Sequence, residues 1–343
     1  MTDLAAADLR AALDLLDAAS TVTVLCHVQP DADTIGSGLA LAIALDRRGV
    51  SVQVAFAAPS RLPDSMVSLP GTEFVTAADE VRTEVDLVVT VDAGSRERLG
   101  ALGDRLDGAV SLVIDHHRSN TFYGTHHLVD PSAESTTAVV AALFDAAGIV
   151  IDRDLAHCLY AGLVTDTGSF RWVRPGSHLL AERLLGTGID GAAITRSLLD
   201  THPFGWLPML GRVLGSARLL PDAAGARGLV YAVVRLEDVG GLRSEEIESV
   251  VDIVRTTAEA EVAAVFKQND RGWSVSLRSK SVVDVSATAT ALGGGGHRFS
   301  AGYTVTGDVD DAVAALVAAL GGRRPPVGSR RARCSGSRSP RWA

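Results

Sequence analysis

Thr21-Val22-Thr23-Val24-Leu25-Cys26-His27-Val28-Gln29-Pro30-Asp31-Ala32-Asp33 is the stretch that decides the fold. Six apolar or β-branched residues form a buried-strand pattern, and the chain then turns polar at once. One imidazole and two carboxylates follow within seven residues, before a run of small residues at helical spacing (34–48) that stops at Gly49. Strand, polar loop and helix in that order open an α/β unit. The acids have a structural explanation as caps of the helix N-terminus. They also have a chemical one, because carboxylates two apart in a turning loop can point toward different metal ions.

Working outward, residues 4–19 carry a helical period, and 50–57, 85–91 and 110–114 are short apolar runs of the sort buried parallel strands show. Polar groups stand immediately after three of the strand runs: His27 to Asp33, Asp92, and Asp115 to His117. Ligands of open α/β sheets bind beyond the carboxyl ends of strands, so these groups are expected to converge on one crevice. Helical periodicity resumes at 135–147, at 154–164 before Thr165-Asp166-Thr167-Gly168, and at 179–199. Residues 202–219, with Pro203, Gly205 and Pro208, read as a connector. Beyond it the pattern predicts a strand at 228–236, a capped helix at 244–258 and a hairpin at 262–280 around Asn269-Asp270-Arg271-Gly272. A helix at 284–292, a glycine-rich stretch at 293–302, a strand at 303–306 and a helix at 310–320 complete it. The expected fold class is α/β. An N-terminal domain (1–200), with a mainly parallel sheet flanked by helices, leads through a connector (201–222) to a smaller α/β C-terminal domain (223–322) and a tail (323–343).

A chain of 343 residues, 47% hydrophobic and 21% charged, is long enough for two cores. The formal charge of −9 conceals seven arginines in 323–343, where there is no acid; without them the body stands at −16. An acidic body lacks the broad basic face that long nucleic acid requires, whereas short anions bound through metals remain compatible. The Arg/Ser/Gly/Pro-rich tail reads as a disordered, solvated appendage. Cys26, Cys158 and Cys334 are odd in number and widely spaced, so neither a disulfide framework nor a thiolate zinc site is expected, and a metal would be held by nitrogen and oxygen. No stretch has the length of a membrane span and no signal pattern opens the chain, so a cytoplasmic protein with no membrane partner is expected.

Adjacent histidines flanked by an acid, as in Asp115-His116-His117, are costly at a strand end unless they pair or bind something. Imidazole and carboxylate together suit manganese, iron, cobalt or zinc. Asp92 and Asp166, each alone, read more readily as turn acids than as ligands. Four such clusters, each ending a buried element, are harder to explain structurally. In the C-terminal half, Gly293-Gly294-Gly295-Gly296 exposes backbone N–H groups and admits a phosphate or base, or is simply a flexible loop. His297 follows it, and Arg278, Ser279 and Lys280 on the hairpin add groups for the distal phosphate of a dinucleotide.

Taken together, His27 to Asp33, Val91-Asp92, Asp115-His116-His117 and Thr165-Asp166-Thr167-Gly168-Ser169-Phe170 resemble the motifs of the DHH phosphoesterase superfamily, over about residues 15 to 320. Gly293 to His297, continued by Ser300-Ala301-Gly302, resembles the signature of the DHH-associated C-terminal domain. Ala32 and Ser300 are mild departures that remove no ligand. Within the superfamily the chain is similar to the bifunctional oligoribonuclease and 3'-phosphoadenosine 5'-phosphate phosphatase group, with its relatives acting on cyclic dinucleotides; RecJ-like exonucleases fit less well for lack of room for their extra modules. The resemblance implies two divalent ions, manganese foremost, with His27, Asp31 and Asp92 on one, and Asp33, Asp92, His116 and Asp166 on the other. Two cations sharing Asp92 would clamp the phosphoryl oxygens during in-line displacement. His117 is then a catalytic acid or phosphate contact, Asp115 an orienting acid, and Gly294, Gly295, Gly296, His297, Arg278 and Ser279 the substrate contacts. The implied substrates are short RNA, linear or cyclic dinucleotides and adenosine bisphosphate, and the implied assembly is a homodimer. The rivals are a manganese-dependent inorganic pyrophosphatase and a catalytically silent nucleotide sensor.

Overall fold

The structure, a computed structural model, describes residues 4–59 and 61–321; the Arg-rich stretch 323–343 and Cys334 lie outside the described residues. The chain separates into two units between Pro203 and Phe204. In the first, α1 (Ala6–Ala18) leads to β1 (Thr21–Cys26), α2 (Ala32–Asp46), β2 (Ser51–Ala55), β3 (Leu87–Val91), β4 (Ser111–Asp115) and β5 (His126–Val129). Helices α3 (Thr136–Ala146), α4 (Arg153–Asp166), α5 (Ser177–Leu185) and α6 (Gly191–Leu199) follow. The five strands lie in the order β2-β1-β3-β4-β5 and every pair is parallel. β1, β3 and β4 are buried almost throughout, which is why they read as apolar runs without alternation. The strand order reverses direction between β1 and β3, the place where a doubly wound sheet opens a crevice at its carboxyl edge.

The second unit begins with α7 (Trp206–Gly215) and β6 (Arg218–Leu220). Then come α8 (Ala223–Ala226), β7 (Leu229–Val234), α9 (Leu236–Val239), α10 (Ser244–Glu248), α11 (Val250–Val254), β8 (Val262–Asn269) and β9 (Gly272–Ser279). It closes with α12 (Val285–Ala291), β10 (Gly295–His297), β11 (Ser300–Val305) and α13 (Val309–Ala319). Its sheet runs β10-β11-β9-β8-β7-β6, antiparallel except for β7 with β8. One face packs Phe266, Val275, Leu277 and Tyr303 with Leu316 of α13. The opposite face at β7 and β8 packs against α7 and α11 through Met209, Val230, Val251 and Val265.

The segment expected as a connector is therefore partly a core helix. Pro208 sits in the first turn of α7, where its missing N–H costs nothing, so it does not break the helix. Met209, Leu210 and Val213 are buried there. Three further strands, β5, β6 and β10, were not expected. Among the described residues no helix is long and apolar enough to cross a membrane.

If α7 is core rather than linker, Val213→Asp buries an unpaired charge and lowers unfolding stability by several kcal/mol, on the order of 3. Chemical denaturation monitored by tryptophan fluorescence checks this; an unchanged midpoint would mean a loose connector.

Candidate metal centre

Parallel register assembles the site. Cys26 pairs with Val91 and Val91 with Ile114, so the residues that follow these strand positions, His27, Asp92 and Asp115, emerge side by side at the carboxyl edge. Asp92 takes a left-handed backbone conformation at φ 58°, which asparagine-like side chains tolerate best and which turns its carboxylate over the sheet edge. One of its oxygens lies 3.4 Å from His27 Nε2 and the other 3.5 Å from His116 Nε2. Asp92 is thus shared between two groups of ligands.

The first group is His27, Asp31 and Asp92, and the second Asp33, Asp92 and His116. Asp31 serves both explanations offered for it. Its Oδ1 caps α2 by accepting from the Asp33 and Thr34 N–H groups, while Oδ2 lies 3.5 Å from His27 Nε2. Asp166, the last residue of α4, reaches His116 Nε2 at 3.2 Å, and Asp33 lies 3.8 Å from the same nitrogen. Each imidazole directs its other nitrogen to a backbone carbonyl: His27 Nδ1 to Val28 at 2.9 Å and His116 Nδ1 to Ala133 at 3.3 Å. That arrangement turns both Nε2 atoms toward the carboxylates, as a metal-bound imidazole requires.

Four carboxylates and two imidazoles at these separations fit a pair of divalent cations. Donors about 2.1 Å from a common ion lie ~3–3.5 Å from one another, and two such ions balance four negative charges. Cys26 takes no part, since its thiol faces the Thr34 carbonyl. Without a cation the charges are in conflict. Burial, then Asp166 and Asp92, hold the Asp33 carboxyl well above the usual carboxylate range. Burial pushes Asp166 up to about 6 despite the opposing pull of His116. For His27 burial acts downward but is outweighed by Asp31 and Asp92, which raise it to about 10.

Residues that carried no signal in the sequence hold these ligands. Asp33 accepts from the Thr136 N–H at 2.6 Å, the Thr137 N–H at 2.9 Å and the Thr137 hydroxyl at 2.8 Å, which lodges it on the N-terminus of α3. The Thr136 hydroxyl donates to Asp92 at 2.9 Å. Gly162 lets α4 close on this point: a Cβ there would lie 2.4 Å from Asp33 Oδ1 and 2.6 Å from the Thr137 hydroxyl. Asp115 accepts from the His116 N–H at 2.8 Å and from Asn120 Nδ2 at 2.6 Å, and bonds His117 Nδ1 at 2.7 Å. His117 is thus anchored through Nδ1, with its side chain 17% exposed.

The substrate candidates of the second unit fall on two faces of its sheet. His297, Ser300 and Arg278 are register partners in one cross-strand row, with Gly295, Gly302 and Ser276 in the next. Ser279 alternates to the other face, where it is buried and donates to Glu261 at 2.9 Å; Lys280 bonds the Thr257 carbonyl. Strand alternation therefore separates Ser279 from Arg278 and His297. The glycine run also has a packing cause. A Cβ on Gly294 would lie 2.1 Å from the Gly302 carbonyl and one on Gly296 2.6 Å from Ala301 Cα, whereas Gly295 meets nothing within 4 Å. Gly293 is equally open, so within the run Gly293 and Gly295 offer an open backbone approach.

The family model for the DHH family, N-terminal domain, matches residues 21–163, and that for the DHHA1 domain matches 227–322. The bifunctional oligoribonuclease and PAP phosphatase NrnA of Thermus thermophilus is 31% identical over 302 residues, 87% of this chain and 89% of that protein. The chain belongs to the DHH family. DHH phosphoesterases are hydrolases dependent on divalent metal, in keeping with the donor set described above. A probable manganese-dependent inorganic pyrophosphatase of Streptococcus agalactiae is 28% identical over 154 residues, covering 43% of this chain and 49% of that protein. An exopolyphosphatase-related protein of Bacteroides fragilis has the same fold, with a TM-score of 0.83 at 24% identity, covering 94% of this chain and 97% of that one.

Cation binding must displace the proton that His27 retains up to about pH 10 and, below about pH 6, that of Asp166. Apparent divalent-metal affinity is therefore expected to rise with pH, most steeply below about 6, with proton release in titration calorimetry run in buffers of differing ionisation enthalpy. An affinity indifferent to pH, with no protons released, contradicts the assignment.

Proposed function

We propose that this DHH-family protein is a two-metal phosphoesterase acting on short oligoribonucleotides and on linear or cyclic dinucleotides such as diadenylate. Its products are nucleoside 5'-monophosphates, and it also converts 3'-phosphoadenosine 5'-phosphate to AMP. The observation that carries the reading is the sharing of Asp92 between the His27 and His116 groups, each completed by further carboxylates. Its substrate range rests on similarity to the NrnA of Thermus thermophilus, whose name gives both activities. The name of the Streptococcus agalactiae relative supports manganese. A homodimer in the cytoplasm belongs to the same reading.

His27, Asp31 and Asp92 hold one ion, and Asp33, Asp92, His116 and Asp166 the other. When bound, the pair supplies Lewis acidity toward the phosphoryl oxygens and the attacking water. The protein's own groups do the rest. Asp115 fixes His117 through Nδ1, so its Nε2 passes a proton to the leaving ribose oxygen as the P–O bond breaks. Burial of Asp33, Asp92 and His116 keeps bulk water away from the charges that develop there. In the second unit, the His297–Ser300–Arg278 row supplies donors for a further phosphate, and Gly295 an open backbone beside it.

The purified protein, given Mn²⁺ and offered linear diadenylate, 3'-phosphoadenosine 5'-phosphate and pyrophosphate in turn, is expected to hydrolyse the first two. Asp92→Ala, which removes the shared ligand, is expected to lose at least about a hundred-fold in kcat. Phosphate release from pyrophosphate alone would favour the pyrophosphatase reading, and no turnover of any of them a sensor.

A further inference from the structure

Arg98 lies in the 3₁₀ helix that follows β3 (Arg96–Leu106), exposed, with its backbone carbonyl accepting from the Val28 N–H at 2.8 Å. The chain is therefore pinned against the His27 loop at this point. Its side chain behaves unlike that of Arg96, two residues earlier, which pairs with Asp107 at 2.8 Å and Asp104 at 3.4 Å. Among the described residues no carboxylate lies within ion-pairing distance of Arg98. Its guanidinium instead lies 3.2 Å from His27 Nδ1.

In a loaded site that contact cannot be a hydrogen bond. An imidazole that gives its Nε2 lone pair to a metal carries its remaining proton on Nδ1, and here that proton is donated to the Val28 carbonyl at 2.9 Å. Arginine has no acceptor atoms, so Arg98 and Nδ1–H would be two donors facing one another. Arg98 can bond His27 only in the tautomer that cannot ligate through Nε2. Once the ligand tautomer is set, that hydrogen bond is lost; the guanidinium, whose charge also helps to hold the Asp31 carboxyl low, stays at the edge of the centre, and its fork matches a phosphate.

We propose that Arg98 is a substrate-binding residue of the first unit, donating to non-bridging oxygens of the phosphate that undergoes hydrolysis. This rests on the phosphoesterase reading of the metal centre. It adds a positive group beside His27 that neither the ligand set nor the His297–Ser300–Arg278 row contains. Arg98 stabilises the bound phosphate by charge-assisted hydrogen bonds, and because its backbone is tied to Val28 it moves with the ligand loop.

The test uses the full chain carrying Arg98→Gln or Arg98→Lys. With Mn²⁺ alone, titration calorimetry is expected to give both variants the wild-type metal affinity within about two-fold. With inorganic phosphate titrated into the Mn²⁺-loaded protein, Arg98→Gln is expected to bind about ten-fold or more weakly, and Arg98→Lys to recover part of that. The KM for 3'-phosphoadenosine 5'-phosphate should rise in the same order. Phosphate affinity equal to wild type in both variants overturns the proposal. So does a parallel fall in Mn²⁺ affinity, which would make Arg98 a support for His27. If the wild-type protein turns over no phosphate ester, the functional reading fails, while the phosphate titration still decides whether Arg98 binds the anion.

Discussion

Four carboxylates gathered around two imidazoles, with Asp33, Asp92 and both imidazoles buried, are the constraint on which the first unit depends. Like charges at this distance repel strongly, and desolvation removes the screening that would make their proximity tolerable. Burial accordingly holds the Asp33 carboxyl well above the usual carboxylate range and pushes Asp166 up to about 6. Two divalent cations remove the conflict outright. The cluster is thus expensive without its ions and well matched to them, which is the usual signature of a site kept for chemistry rather than for stability.

The scaffold prevents the cluster from relaxing. Parallel register delivers His27, Asp92 and Asp115 to one edge, and the left-handed turn at Asp92 aims its two oxygens in different directions. Residues 130–137 contribute no ligand, yet the Ala133 carbonyl orients His116, while Thr136 and Thr137 hold Asp33 and Asp92. That segment is itself braced from the chain after α4, by Arg174 on the Pro131 and Ser132 carbonyls and by Ser177 on Glu134. A ligand sphere supported this way keeps its geometry when substrate arrives, so little of the binding energy is diverted to ordering it.

Much of this was legible in the sequence, for local reasons. Buried parallel strands announce themselves as short apolar runs, and the ligands stand immediately after them, so neither β1, β3 and β4 nor their polar termini needed tertiary information. β5 was missed because His126-His127-Leu128-Val129 is too short and too polar to register as a run. α7 was read as connector because three breakers cluster there, although Pro208 falls where a helix accepts it. Ser279 could have been placed correctly: it continues the alternation Val275, Leu277 and so belongs to the buried face. The bonds from Thr136 and Thr137 to Asp33, and the approach of Arg98 to His27, join residues distant in sequence. No local pattern encodes them.

Cation number and placement decide the nature of the centre. Crystals grown with Mn²⁺ and measured at its absorption edge should show two anomalous peaks about 3.5 to 4 Å apart, on either side of the Asp92 carboxylate. One should lie among His27, Asp31 and Asp92 and the other among Asp33, Asp92, His116 and Asp166. A single peak, peaks elsewhere, or none at saturating metal would contradict it.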